Sequence, residues 1–185
     1  MMGEPDDDTG PVFGSLVWLD PEDITEPDHR LFLDYWNELR GGKFAPAWSD
    51  WDWRRIPGNL IPYCFVVDAL DGGTNFKYRF WGTAHADIHG IDYTGKLVTD
   101  IIPPELAETS RAQYEQACSV RKPVIYMHEL TVGKLQLRRI QTSFRMPLSS
   151  DGKTVDMLFS FADWRDIRED MKRFFENVQR DESAG

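Results

Sequence analysis

Apolar positions recur at helical spacing in three stretches of the chain and alternate in several others. In residues 28–40 (DHRLFLDYWNELR), Leu31, Phe32, Tyr35, Trp36 and Leu39 fall on one stripe, which predicts an amphipathic helix. Gly41-Gly42 stops it, where a positive φ is cheap. From Leu60 the period becomes two. Residues 61–69 (IPYCFVVDA) are apolar on both sides, as in a covered central strand. Asp71-Gly72-Gly73 signals a turn, and in NFKYRFWG the rings of Phe76, Tyr78 and Phe80 alternate with Lys77 and Arg79. That pattern predicts a half-exposed strand closing a hairpin.

Residues 83–89 read as one or two helical turns ended by Gly90, and Tyr93-Thr94-Gly95 as a further turn. A second clear helix follows Pro103-Pro104, with Glu105 and Glu108 in its first turn and Arg121 and Lys122 at its end, matching the helix dipole. Its inner face carries Leu106, Ser110, Tyr114, Ala117 and Cys118. Three strands come next: residues 124–130, a turn at Val132-Gly133-Lys134, residues 135–148, a turn at Ser149-Ser150-Asp151-Gly152, and residues 154–162. In the last, Val155, Met157, Phe159 and Phe161 share a face. The apolar phase slips within the long strand, from Leu135 and Leu137 to Ile140, Thr142 and Phe144, which predicts a bulge or twist. A final helix begins near Asp163, a suitable N-cap, with Trp164, Ile167, Met171, Phe174 and Val178 along one seam. Residues 1–14 are acidic and rich in Gly and Pro and read as a disordered tail. Residues 44–59, rich in Pro and Trp without a period, read as a connector wrapped on the surface.

The order is helix, two strands, short helices, a longer helix, three strands, helix. It predicts an α+β fold: a five-stranded antiparallel sheet with helices on one face, plus flanking N- and C-terminal helices. The order and the segments that fill it resemble the PAS family, in particular a bacterial, stand-alone PAS-like sensor variant. The resemblance is carried by DHRLFLDYWNELR, YCFVVDALDGGTNFKYRFWGT, GIDYTGKLVTDI, the helix ending in RKPV, RRIQTSFRMPLSSDGKTVDMLF and the terminal FADW. It divides the chain into a flexible acidic tail and lead-in (1–27), a PAS-like domain with its N-terminal helix (28–164), and a C-terminal helix and tail (165–185). What it implies is a curved sheet and helices enclosing a small pocket, with dimerisation through flanking helices. It implies no catalytic residues and leaves the cofactor unknown.

Composition narrows the partners. Lysine and arginine number 21 against 31 acidic residues, a formal net charge of −10. Such a surface repels phosphate backbones and anionic lipid heads, so neither nucleic acid nor membrane is expected as a partner. No apolar run reaches the roughly 20 residues that span a bilayer. Met1 to Gly10 is acidic where a signal peptide is basic and then apolar, so a cytoplasmic location is expected. Cys64 and Cys118 lack metal or redox spacing and read as reduced packing residues.

Candidate chemistry is sparse. His85 and His89 are four apart, a spacing that suits a metal pair on one helix face, but Ala86 stands where a zinc-hydrolase helix has its glutamate. The plainer reading, two partly exposed helix histidines, is the one taken, and no metal site is assigned. His128 and Glu129, adjacent on a strand, face opposite ways and form no acid–base pair. Aromatics make up 13% of the chain, including seven Trp, enough to line a core or a cavity. Tyr78, Trp81, Tyr114 and Phe159, with His85 and His89, are the candidate pocket residues; each of these rings could equally pack in a solid core. Arg138, Arg139 and Arg145 could hold an anion, but the reading taken is an exposed sheet face pairing with the many carboxylates. The terminal seam spans only about two heptads. With the first helix it supplies candidate dimer contacts: Leu31, Tyr35, Trp36, Met171, Phe174 and Phe175.

The function expected is a non-enzymatic sensory or regulatory domain. It binds a small-molecule ligand or a protein partner and signals through flanking helices or a homodimer to a separate output protein. The alternatives are a ligand-free interaction or dimerisation module, and a small metal-dependent enzyme using His85 and His89.

Overall fold

The computed structural model describes residues 12–132 and 137–184. Six strands form one sheet: β1 (Val12–Leu19), β2 (Cys64–Leu70), β3 (Asn75–Trp81), β4 (Val124–Val132), β5 (Leu137–Leu148) and β6 (Met157–Ala162). Their order is β1-β4-β5-β6-β2-β3, every neighbouring pair antiparallel. Four α-helices accompany the sheet: α1 (Pro27–Arg40), α2 (Thr83–His89), α3 (Pro104–Val120) and α4 (Arg168–Ala184).

The helices follow local chemistry closely. Prolines open α1 and α3 at their first turn, where a missing N–H costs nothing. Gly41 (φ +52°) ends α1 and Gly90 (φ +67°) ends α2. The β2–β3 turn takes positive φ at Asp71, Gly72 and Gly73. The last helix starts later than Asp163. That carboxylate accepts from the Arg165 N–H at 3.2 Å, but the turn that follows, Arg165–Ile167, is 3-10 with Trp164 at its N-cap, and α4 begins at Arg168.

The sheet has six strands rather than five because residues 12–19, part of the expected tail and lead-in, pair with β4. Without β1 the backbone donors and acceptors along β4's outer edge would be left open. The bulges also sit elsewhere than expected: between Phe13 and Leu16 against β4, and between Val66 and Val67 against β3. β5 runs in unbroken register with both neighbours. Its apolar phase slips because its first four residues are exposed on both sides and its last eight are buried on both. The turn read at Val132-Gly133-Lys134 and the strand start at Leu135 lie outside the described residues.

Both faces of the sheet are covered, so the alternation of each central strand divides two cores. Phe144, Met146, Phe159 and Phe161 face α1, where Phe32 packs 4.8 Å from Phe161 between ring centroids. Phe65, Val67, Leu158 and Ala162 face the side of α3, with Tyr114 and Ala117. The stretch 44–59 is not a surface wrap. Trp51, Ile56 and Leu60 are buried, and the Trp51 ring lies 4.2 Å from Phe159. Single 3-10 turns at Trp48–Asp50 and Trp53–Arg55 hold these rings in place, so they enter the core without leaving a period in the sequence. Cys64 is buried, Cys118 is half-buried, and both are free thiols.

Candidate functional site

Between the sheet and the helices α2 and α3 lies a cavity of about 60 Å³. Water occupies about 30 Å³ per molecule in the liquid, so this is space for a molecule of a few non-hydrogen atoms. Most walls follow from an element's period, and on β3 the register shift opposite Val66 and Val67 brings Trp81 to the side of Tyr78. On β2 and β3, Phe65, Tyr78 and Trp81 turn inward. One turn of helix separates His85 from His89 on α2, placing both on the cavity side. From α3 come Ser110, Gln113 and Tyr114. On β5, Gln141, Ser143 and Arg145 stand two residues apart and so share one side, beside His128 of β4. Thr109, at the edge of the cavity, is exposed, and Trp164 is half-buried.

The walls are polar in an unusual way. Among the described residues no Asp or Glu lines the cavity. Arg145 is only 6% exposed, and its guanidinium lies over the rings of Phe65 and Tyr114, at 5.1 and 5.4 Å. Such faces favour a cation that has lost water. Gln113 bridges Arg145, which donates to its Oε1 at 2.8 Å, and His128, whose Nε2 lies 3.3 Å from its Nε2. The Tyr78 and Tyr114 hydroxyls are 3.0 Å apart. Eleven buried side-chain nitrogen or oxygen atoms among the described residues have no hydrogen-bond partner, and six belong to cavity residues: Trp81 Nε1, His85 Nδ1, His89 Nδ1, Ser143 Oγ, Arg145 Nε and Trp164 Nε1. Buried polar atoms are rarely left unpaired in folded proteins, so these six need partners that the described residues do not supply.

The histidines here are neutral at ordinary pH. Burial pushes His85 down to about 4, against its hydrogen bond to the Tyr63 carbonyl, and the charge of Arg145 lowers it further. Burial also takes His128 down to about 4, again helped by Arg145. His89 is held well below the usual range by burial and then by His85. Burial raises the Tyr78 and Tyr114 hydroxyls. Among the described lining residues, Arg145 is therefore the one formal charge.

Five of the six residues read from the sequence as pocket candidates meet here: Tyr78, Trp81, His85, His89 and Tyr114. Phe159 does not. It lies on the other side of the sheet, packed on Phe32, Trp51 and Trp53. His85 and His89, expected to be partly exposed, are 1% and 5% exposed, because α2 is pressed between the sheet and α4. Arg145, expected on an exposed face beside Arg138 and Arg139, is buried. Arg138 and Arg139 are exposed as expected, and Arg138 pairs with Glu129 at 2.6 Å. Gln113 and Ser143 are the residues that sequence reasoning missed, and Arg145 was weighed as an anion ligand but read as exposed. The signal available was an arginine set between Phe144 and Met146, in the apolar end of its strand at residues 144–148. Among the described residues no group of three or more His, Cys, Asp or Glu is placed to hold a metal.

The positions read as dimer contacts are mostly occupied within the chain. Tyr35 packs on Trp51 at 4.9 Å, and Trp36 Nε1 donates to the Pro147 carbonyl at 2.8 Å. Met171 and Phe175 are buried, whereas Leu31 and Phe174 are half-buried.

Helix α4 is tied to the cavity through α2. His89 stacks on Phe175, Asp87 pairs with Arg168 at 2.7 Å and with Lys172 at 2.9 Å, and Gln179 Nε2 donates to the His89 carbonyl. No helix among the described residues is long and apolar enough to cross a membrane. No curated protein and no solved structure matches the chain. A family model described as PAS domain matches residues 24–162.

Proposed function

Since the chain belongs to the PAS domain family, a family of sensory and regulatory modules, we propose that it senses a small molecule held in the cavity and reports occupancy through α4. The observation that carries this reading is the double role of His89, which lines the cavity and stacks on Phe175 of the terminal helix. A ligand that reshapes α2 changes the packing that α4 depends on. The effect is a shift between two packings of α4, limited in size by the ligand's difference in affinity for them. Output passes to a separate protein or to a second copy. The role is binding rather than catalysis, because the cavity histidines are buried beside a cation and have no carboxylate at hand to orient them as bases.

Hydrogen–deuterium exchange tests the coupling. The purified chain is compared before and after dialysis, and then with acetate, acetamide, propanol or glycerol added. Protection of Arg168–Ala184 is expected to change with an occupant that also protects the cavity walls. Protection of the walls with α4 unaltered would refute the coupling.

A second reading, self-association through the sheet, is favoured by Val17 and Ile140, which stand on one face and are 47% and 62% exposed. Sedimentation tests it: a dimer that Ile140→Asp converts to monomer supports it, and a monomer at all concentrations sinks it.

A further inference from the structure

Arg145 is a buried cation that meets no carboxylate among the described residues. Its Nη1 donates to the Phe144 carbonyl and its Nη2 to Gln113 Oε1, each at 2.8 Å, while the buried Nε–H has no acceptor. A guanidinium has five N–H donors, so most of its capacity is unmet. Several other arginines, by contrast, find an acid. Arg79, Arg138, Arg165 and Arg168 each reach a carboxylate within 2.8 Å, in a sequence that has 31 acidic residues. The cavity combines a buried arginine with walls that, among the described residues, carry no Asp or Glu.

We propose that the cavity takes a small organic carboxylate, its anionic group on Arg145 and its carbon end against the rings of Phe65 and Trp81. This rests on the reading of the cavity as a ligand site. The free donors of a guanidinium lie in one plane, which suits the two oxygens of a carboxylate. Size favours a short one, since about 60 Å³ has room for acetate or propionate. Charge sets the class. One cation with neutral histidines around it matches one negative charge, whereas a phosphate dianion would bring a second charge that nothing on the wall meets. Ser143 Oγ, on the same side of β5 as Arg145 and likewise without a partner, is a further polar contact within the same wall.

Calorimetric titration of the dialysed full chain tests this at pH 7.5 and constant ionic strength. The probes are sodium acetate and sodium propionate, with acetamide, propanol and sodium phosphate beside them. The carboxylates are expected to bind at least about tenfold more tightly than acetamide, the difference a hydrogen bond to a charged group makes. Arg145→Gln is expected to remove that preference. The acetamide arm needs no substitution, so it decides the matter even where the variant fails to fold. Equal binding of acetate and acetamide, or tighter binding of phosphate, overturns the carboxylate assignment and leaves a small-molecule cavity standing. Binding of none of the five overturns both.

Discussion

The imidazole of His89 stacks on the ring of Phe175, with centroids 3.9 Å apart and planes inclined by 26°. One residue belongs to a seven-residue helix on the cavity wall and the other to the terminal helix, so the pair joins the two. Phe175 is 1% exposed and forms part of the core that faces α1. Phe175→Ala is expected to lower stability by roughly 3–5 kcal/mol, the usual cost of deleting a buried aromatic ring, in urea unfolding. It also uncovers His89, whose depressed pKa should move back up toward the usual range in an NMR titration. A stable variant with an unmoved His89 would contradict the stacking role.

Acid is expected to weaken the fold before its carboxylates titrate. His85 and His128 fall from about 6.5 to about 4 in the folded chain, chiefly by burial, and His89 lies well below 6.5. Above pH 6.5 these rings are neutral in both states and carry no penalty. Between about 6.5 and 4 the unfolded chain binds more protons than the folded one, so stability falls as pH falls. For fully buried His85 alone, the loss is on the order of 3 kcal/mol by pH 4. Urea midpoints at pH 7.5, 6 and 5 should decline, and less steeply in His85→Gln. A flat profile would show the histidines to be solvated.

Gly82 joins β3 to α2 with ordinary φ and ψ of −61° and 149°, yet a Cβ there would lie 2.2 Å from the Pro62 carbonyl oxygen and 2.6 Å from that of Cys64. Backbone, not a movable side chain, blocks it. Gly82→Ala is expected to cost at least about 1–3 kcal/mol in thermal or urea unfolding, as overpacking does. Gly58→Ala, with nothing within 4 Å, should stay within about 0.5 kcal/mol of the parent.

Trp36 ties α1 to the end of β5 through its bond to the Pro147 carbonyl. Trp36→Phe keeps most of the ring but leaves that buried carbonyl without this donor, and is expected to cost about 1–3 kcal/mol in urea unfolding. No change in the midpoint would mean that another donor takes over.

Three of the helices were legible because their chemistry is local: Gly41, Gly90 and Pro104 mark ends wherever the rest of the chain goes. The turn at Asp71-Gly72-Gly73 was legible for the same reason. Strand pairing was less so. The apolar run in residues 12–19 follows an acidic, Gly/Pro-rich leader whose composition masks it, and its partner β4 lies over a hundred residues away. A period of two says that Phe159 shares a face with Phe161, and Arg145 with Ser143, but not which face meets a cavity and which meets α1. That parity depends on where α1 and α3 settle, a long-range outcome that no local window contains. Burial of Trp51 depends in the same way on a ring fitting against Phe159.

The amide of Gln113 can sit only one way round. Arginine has no acceptor, so the oxygen faces Arg145 and the NH2 faces His128. Nε2 of His128 must then receive, and the neutral ring keeps its proton on Nδ1. Which nitrogen of an imidazole on β4 bears hydrogen is thus decided by a charge carried on β5. Once that charge is removed, or drawn off Gln113, the amide is free to turn over and the proton to change nitrogen. The 15N shifts of a single histidine therefore offer a remote gauge of what happens at the arginine.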